Sequence, residues 1–246
     1  MAIVADAPPG FGDLDPGGGA AAFAFLYGRD VEQFARAVRQ AEADDELVVM
    51  RVVQATAFPH QLGDLARGAM AGGRLRLELL AAGAVVGAFQ LLDAVHAGTL
   101  DGGHGVSAYW FGRNRAFSLF GTTPPWFNDA NHLLGWYYYG GGEALYRELM
   151  HDILRMNAVS FLTGPMPTQP LGWFRNPIER ADQIRGLRYR TVGLATDLFQ
   201  EMGAAVVALP GGEIGPALER SVMDGAECNT PSAARVLGVA DGARNS

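Results

Sequence analysis

The chain has 246 residues, 49% of them hydrophobic, with a formal net charge of −7 and a pI near 5.2. That length buries a core in one large domain or two small ones, and the acidic balance excludes the basic field that nucleic acid or an anionic membrane surface requires. The single cysteine, Cys228, excludes an intrachain disulfide, and no stretch reaches the roughly 20 apolar residues that span a bilayer.

Residues 1–24 combine Pro, Gly and Ala without periodicity, which predicts a disordered or loosely held leader. The apolar run Ala20–Tyr27 follows three aspartates and no positive charge, so it does not read as an export signal. Val31–Ala43 carries apolar residues at helical spacing, and Leu47–Thr56 is β-branched and strand-like. Gln61–Met70 is a short helix candidate, followed by a Gly72-Gly73 break and the alternating strand Leu75–Leu79. Ala84–Ala97 reads as a helix and Gly103–Trp110 as a strand. Asn131–Tyr139 and Glu143–Leu154 read as helices separated by Gly140-Gly141-Gly142. That glycine run imitates a phosphate loop but lacks Gly-Lys-Ser/Thr, and a helix-breaking turn is the plainer reading.

The alternation continues in the second half. Strands are predicted at Ala158–Leu162, Gly172–Arg175, Arg188–Val192, Ala204–Ala208 and Asp224–Glu227, with helices at Ile178–Gln183, Ala195–Met202 and Glu213–Val222. Short strands alternating with helices give an α/β fold with open sheets, whose ligand crevices lie at strand carboxyl ends.

Strand alternation places Arg188 and Arg190 on one face with Tyr189 on the other. Two readings stay open for Arg190: a solvated arginine on an edge strand, or a planar guanidinium that grips a carboxylate with two parallel hydrogen bonds. Glu227 runs into Asn229-Thr230-Pro231 and forms either the acidic lip of a turn or a cleft carboxylate. A cleft carboxylate repels an anionic ligand unless it pairs with arginine or binds a hard cation such as Na⁺ or Ca²⁺. Trp173, Tyr109, Trp110 and Phe58 are candidates for apolar walls or for core. The five histidines never fall at metal-ligand spacing, and Cys228 reads as a small buried hydrophobe.

Several ordered segments carry a resemblance. These are Ala81-Ala82-Gly83 with Phe89–Val95, Gly172-Trp173-Phe174-Arg175, Gly186–Arg190, and Leu209–Ile214 through Ala217–Arg220. Together, over about residues 46–240, they resemble the solute-binding proteins of TRAP (tripartite ATP-independent periplasmic) transporters, in the subgroup that binds 2-oxo acids and related monocarboxylates. The resemblance implies two α/β lobes with open mixed sheets, residues 25–160 forming mainly the first lobe and 161–246 the second lobe and hinge. It implies a periplasmic, non-enzymatic protein that captures a small organic carboxylate by lobe closure and delivers it to TRAP membrane subunits. Arg190 matches the arginine that pairs with the substrate carboxylate. Gln169 and Glu227 match cation-coordinating positions, Asn229 lies in the adjoining binding turn, and Trp173 with the Tyr109-Trp110 pair match aromatic cleft positions.

The family carries an aromatic where Cys228 stands, a longer first helix than Gln61–Met70, and further chain beyond the Glu227 turn. The second lobe is therefore expected to be incomplete, with unpaired strand edges. Two other readings are compatible with the sequence. One is a non-transporting remnant. The other is an α/β enzyme acting on a small acid, with His104 or His151 as base.

Overall fold

The computed structural model describes residues 21–27, 48–54, 75–121, 130–165, 169–227, 234–235 and 238–243. The helix expected at Val31–Ala43, the helix at Gln61–Met70, Phe58, Cys228 and Asn229 lie outside these residues. Two mixed sheets organise the chain. The first contains β1 (Ala21–Tyr27), β2 (Val48–Gln54), β3 (Leu75–Leu80), β4 (Gly102–Val106) and β5 (Ala158–Pro165) in the order β3-β2-β4-β1-β5. β2 runs parallel to β3 and β4, whereas β1 is antiparallel to β4 and β5.

The position of β1 corrects the leader boundary, because Ala21 to Ala24 are paired strand rather than disordered chain. A short run of alanine and phenylalanine carries little local signal of its own. Pairing on both sides with β4 and β5 satisfies its backbone groups and decides its conformation. The first sheet also extends to Pro165, past the lobe boundary expected at residue 160.

The helix expected at Ala84–Ala97 is shorter. Gly83 takes φ 81°, Ala88–Gln90 form a 3-10 turn, and α1 spans only Leu91–His96. Four of its residues, Leu91, Leu92, Ala94 and Val95, are buried against the sheet. The close approach of α1 explains a glycine in β4: a Cβ on Gly103 would stand 2.7 Å from Leu91 Cδ1. The expected strand Gly103–Trp110 also divides. β4 ends at Val106, and Ser107–Trp110 curl into a 3-10 turn that sends Trp110 inward.

Beyond this turn lie α2 (Phe117–Gly121), which the sequence pattern does not announce, α3 (Ala130–Tyr139) and α4 (Gly142–Arg147), the last continuing as a π turn at Glu148–Ile153. Gly141, with φ 91°, makes the break between α3 and α4, as expected of the glycine run. Leu91, Leu92, Trp110, Phe117, Leu133, Tyr146 and Met150 meet in one core. The Phe120 and Tyr146 rings cross edge to face at 4.7 Å. Each large apolar side chain fully buried here contributes about 1.5–3 kcal/mol.

The second sheet is smaller. Its strands are β6 (Trp173–Phe174), β7 (Arg188–Arg190), β8 (Ala205–Val207) and β9 (Gly225–Ala226), ordered β6-β9-β7-β8. β7, β8 and β9 are parallel, and β6 is antiparallel to β9. Helices α5 (Leu194–Glu201), α6 (Gly211–Glu219) and α7 (Val239–Gly242) accompany it. The helix expected at Ile178–Gln183 contracts to a 3-10 turn at Ala181–Ile184, because the Gln183 side chain accepts from the backbone N–H groups of Glu179 and Arg180 and closes the turn.

Register divides the second sheet into two faces. Phe174, Gly225, Tyr189 and Val206 form one cross-strand row, and Trp173, Ala226, Arg190 and Val207 form the next. The first row packs with Ile184 and Phe199, and Phe174 stacks on Tyr189 at 5.8 Å over Gly225. On the second face Trp173 and Ala226 join Ile214, Leu218 and Val239. Val106, Ala108 and Tyr109 from the first lobe pack against Val192 from the second, which brings the carboxyl ends of β4 and β7 together.

Candidate functional site

The carboxyl ends of the parallel strands β7, β8 and β9 converge on one guanidinium. Arg190 ends β7 and is 3% exposed. Its Nε–H and an Nη2–H donate to the Leu209 carbonyl just past β8, at 2.8 and 2.6 Å. Its Nη1 donates to both the Glu227 carbonyl at 3.1 Å and Glu227 Oε1 at 2.7 Å, just past β9. Thr191 Oγ1 donates to the same Oε1 at 3.3 Å. A guanidinium has five N–H groups; these contacts use four and leave one on Nη2.

The burial of Arg190 follows from register. Arg188 and Arg190 share a face, as alternation predicts, but Arg188 sits at the solvent end of β7. There its Nε donates to Asp224 at 2.9 Å in an exposed pair. The Arg188 guanidinium holds the Asp224 carboxyl below the usual carboxylate range. Arg190, one pleat further, is enclosed by the Leu209 carbonyl and by Glu227. The reading of two solvated arginines on an edge strand therefore fails twice: β7 lies between β9 and β8, and of the two side chains only Arg188 stays exposed. The sequence-based picture of a guanidinium open to a two-pronged ligand also needs correction, since Glu227 already holds one edge.

Trp173 lies in the same cross-strand row as Arg190, with Ala226 between them. Two strand spacings put their backbones about 10 Å apart on one face, and Ala226 between them is fully buried in the core with Ile214, Leu218 and Val239. The Trp173 indole N–H is buried without a hydrogen-bond partner among the described residues. Gln169 is half-buried in the segment leading into β6. Tyr109 is half-buried at the lobe junction, edge to face with Phe89 at 5.0 Å, and its hydroxyl accepts the Gly211 N–H at 3.1 Å. Trp110 does not join the group. It is 3% exposed in the first core, with its indole N–H donating to the Phe89 carbonyl at 3.1 Å, so the structure corrects its assignment as a cleft wall.

The two histidines weighed as bases belong to the first lobe. His104 lies within β4, where burial lowers its imidazole to about 4, and His151 Nε2 contacts the Ala158 carbonyl at 2.9 Å. Among the described residues no group of three His, Cys, Asp or Glu side chains could hold a metal ion, and no helix is long and apolar enough to cross a membrane. Sequence reasoning missed the Leu209 carbonyl, Thr191 and the Tyr109–Gly211 bond. The first and last involve main-chain groups, which side-chain patterns do not reveal.

Two mixed sheets, with a buried ion pair at the strand carboxyl ends of the second, give a two-lobed α/β architecture. The family model for bacterial extracellular solute-binding protein, family 7 (DctP), matches residues 54–236, and the chain belongs to that family. The family is one of transporter solute-binding proteins, not of enzymes. A monocarboxylate 2-oxoacid-binding periplasmic protein of Nostoc sp. is 36% identical over 69% of this chain and 46% of its own length. A TRAP solute-binding protein of Bordetella bronchiseptica, with calcium and picolinate bound, matches 80% of this chain and 60% of that one at 28% identity and a TM-score of 0.73. Another, of Pseudoalteromonas atlantica with sodium and pyruvate bound, matches 80% and 61% at 29% identity and a TM-score of 0.71. The chain thus spans about half to three fifths of the length of these relatives.

Proposed function

We propose that the chain captures a small 2-oxo acid or related monocarboxylate by closure of its lobes, as the periplasmic solute-binding component of a TRAP transporter, and hands it to the membrane subunits. The observation that carries this reading is a buried arginine at the carboxyl end of β7, with one N–H that no described residue accepts. Relatives that bind pyruvate and picolinate support the ligand class.

Arg190 is the anchor for the ligand carboxylate, and Trp173 with Tyr109 supplies apolar surface beside it. Asn229 is carried forward as a further polar contact from the resemblance alone. Glu227 decides the electrostatics. Its carboxylate neutralises Arg190, so an incoming anion meets a pair without net charge and a repelling Oε1.

A hard cation relieves that conflict. The contacts of Glu227 with the Arg190 and Thr191 side chains run through Oε1, and Gln169 carries an amide oxygen of the kind that Na⁺ and Ca²⁺ prefer. The donor chemistry fits such an ion, with Gln169 and Glu227 as its protein side-chain ligands. When bound, the ion supplies positive charge that lets two carboxylates approach each other. Sodium and calcium in the relatives support this assignment.

The test is thermal unfolding with and without pyruvate in sodium or calcium buffer. A ligand at a hundredfold excess over its dissociation constant stabilises the folded state by about 2.7 kcal/mol. A rise in Tm that disappears in Arg190→Ala is expected. An equal rise in that variant, or no rise with any small carboxylate, refutes the assignment.

A further inference from the structure

We infer that Tyr109, besides lining the site, is a positioning residue for Arg190, acting through its hydroxyl and the Leu209-Pro210-Gly211 loop. This inference rests on the reading of Arg190 as the ligand anchor, and it adds a link between lobe closure and the orientation of that anchor.

The loop is held at both ends. At one end, the Leu209 carbonyl receives two N–H groups of the Arg190 guanidinium, at 2.8 and 2.6 Å. Two donors on one oxygen fix the direction in which the Nε edge of the guanidinium faces, and therefore the direction of its remaining Nη2–H. At the other end, the Gly211 N–H opens α6, where no intrahelical acceptor exists for it. It donates instead to the Tyr109 hydroxyl, 3.1 Å away on the other lobe. Between the two ends Pro210 is fixed at φ −59° and ψ 150°, and its ring restricts the hinge motion that would otherwise uncouple them.

Tyr109 itself is placed by the first lobe. It sits in the 3-10 turn after β4, its ring packs on Phe89, and it joins the Val106–Ala108–Val192 contact between lobes. Movement of the first lobe against the second thus changes the Tyr109–Gly211 bond, and the stiff loop carries that change to the carbonyl on which Arg190 rests. A Cβ on Gly211 would lie 3.8 Å from the Tyr109 hydroxyl, so hydroxyl and backbone meet closely with no side chain between them.

Tyr109→Phe tests this, because it keeps the ring and removes only the hydroxyl. The first readout needs no ligand: hydrogen exchange at the Arg190 Nε–H, measured by NMR and assigned by its disappearance in Arg190→Lys. Loss of the tether is expected to speed that exchange by about tenfold while the cooperative melt is retained. An unchanged exchange rate overturns the inference. The second readout is pyruvate titration in sodium buffer, in which Tyr109→Phe is expected to bind about fivefold more weakly, the scale of one neutral hydrogen bond. Equal affinity in the two proteins overturns the inference, since a residue that is only an apolar wall keeps its contact as phenylalanine. Faster exchange with no pyruvate binding by either protein upholds the tether and refutes the carboxylate reading on its own.

Discussion

Two arginines two positions apart on one strand provide a controlled comparison of what burial does to an ion pair. The perturbation is Glu227→Ala set against Asp224→Ala. In the Arg190–Glu227 pair the side chains are 4% and 15% exposed, and in the Arg188–Asp224 pair they are 48% and 30% exposed. Removing one partner of a buried pair leaves an uncompensated charge and costs about 3–5 kcal/mol. Arg190 keeps the Leu209 and Glu227 carbonyls in Glu227→Ala, so its loss falls at the low end, about 3 kcal/mol. For a chain of this size that lowers Tm by roughly 6–12 °C. Asp224→Ala breaks a pair screened by water, and its effect is far smaller. Glu227→Gln restores an acceptor for Nη1 without its charge and recovers about half the loss. Urea unfolding followed by the four tryptophans measures all three, because Trp173 lies in the same cross-strand row as Arg190. Equal costs for Glu227→Ala and Asp224→Ala refute the claim that burial sets the energetics of the Arg190 site.

His104 has an ordinary value of 6.5 and is lowered to about 4 by burial, so the folded protein holds it neutral while the unfolded chain takes up a proton below 6.5. Its contribution is complete above pH 6.5 and is lost as pH falls from 6.5 to 4, by about 3 kcal/mol in total; His104→Gln is expected to flatten that part of the stability–pH curve. Gly225→Ala places a Cβ 2.4 Å from Phe174 Cδ1 and 3.1 Å from the Trp173 carbonyl, and should cost about 1–3 kcal/mol in a denaturant titration. Exchange of sodium and calcium for a bulky organic cation should weaken pyruvate binding in calorimetry, and Gln169→Ala should reduce the difference between the two buffers. A cation-independent affinity in the parent chain rules out the cation assignment.

Strand and helix alternation in the second half was written into the sequence, because each short β-branched run is closed by glycine or proline and each helix carries its own apolar spacing. The α/β class, the approximate places of β2 through β9 and the candidacy of Arg190 and Glu227 follow from that local pattern. The family likeness comes from the same residues, including the Gly172–Arg175 and Leu209–Ile214 segments, and the match over residues 54–236 agrees with it. Local pattern could not place Ala21–Tyr27 between β4 and β5, since a strand of alanine and phenylalanine is specified by the neighbours it pairs with. Nor could it distinguish Arg190 from Arg188 or Tyr109 from Trp110. Those pairs have nearly the same sequence neighbourhood, and only register and tertiary packing decide which arginine loses its water and which aromatic turns into the core. The polar detail of the site belongs to tertiary structure for the same reason. Its Leu209 carbonyl and Gly211 N–H are present in every peptide unit, and their partners, far away along the chain, give them a role.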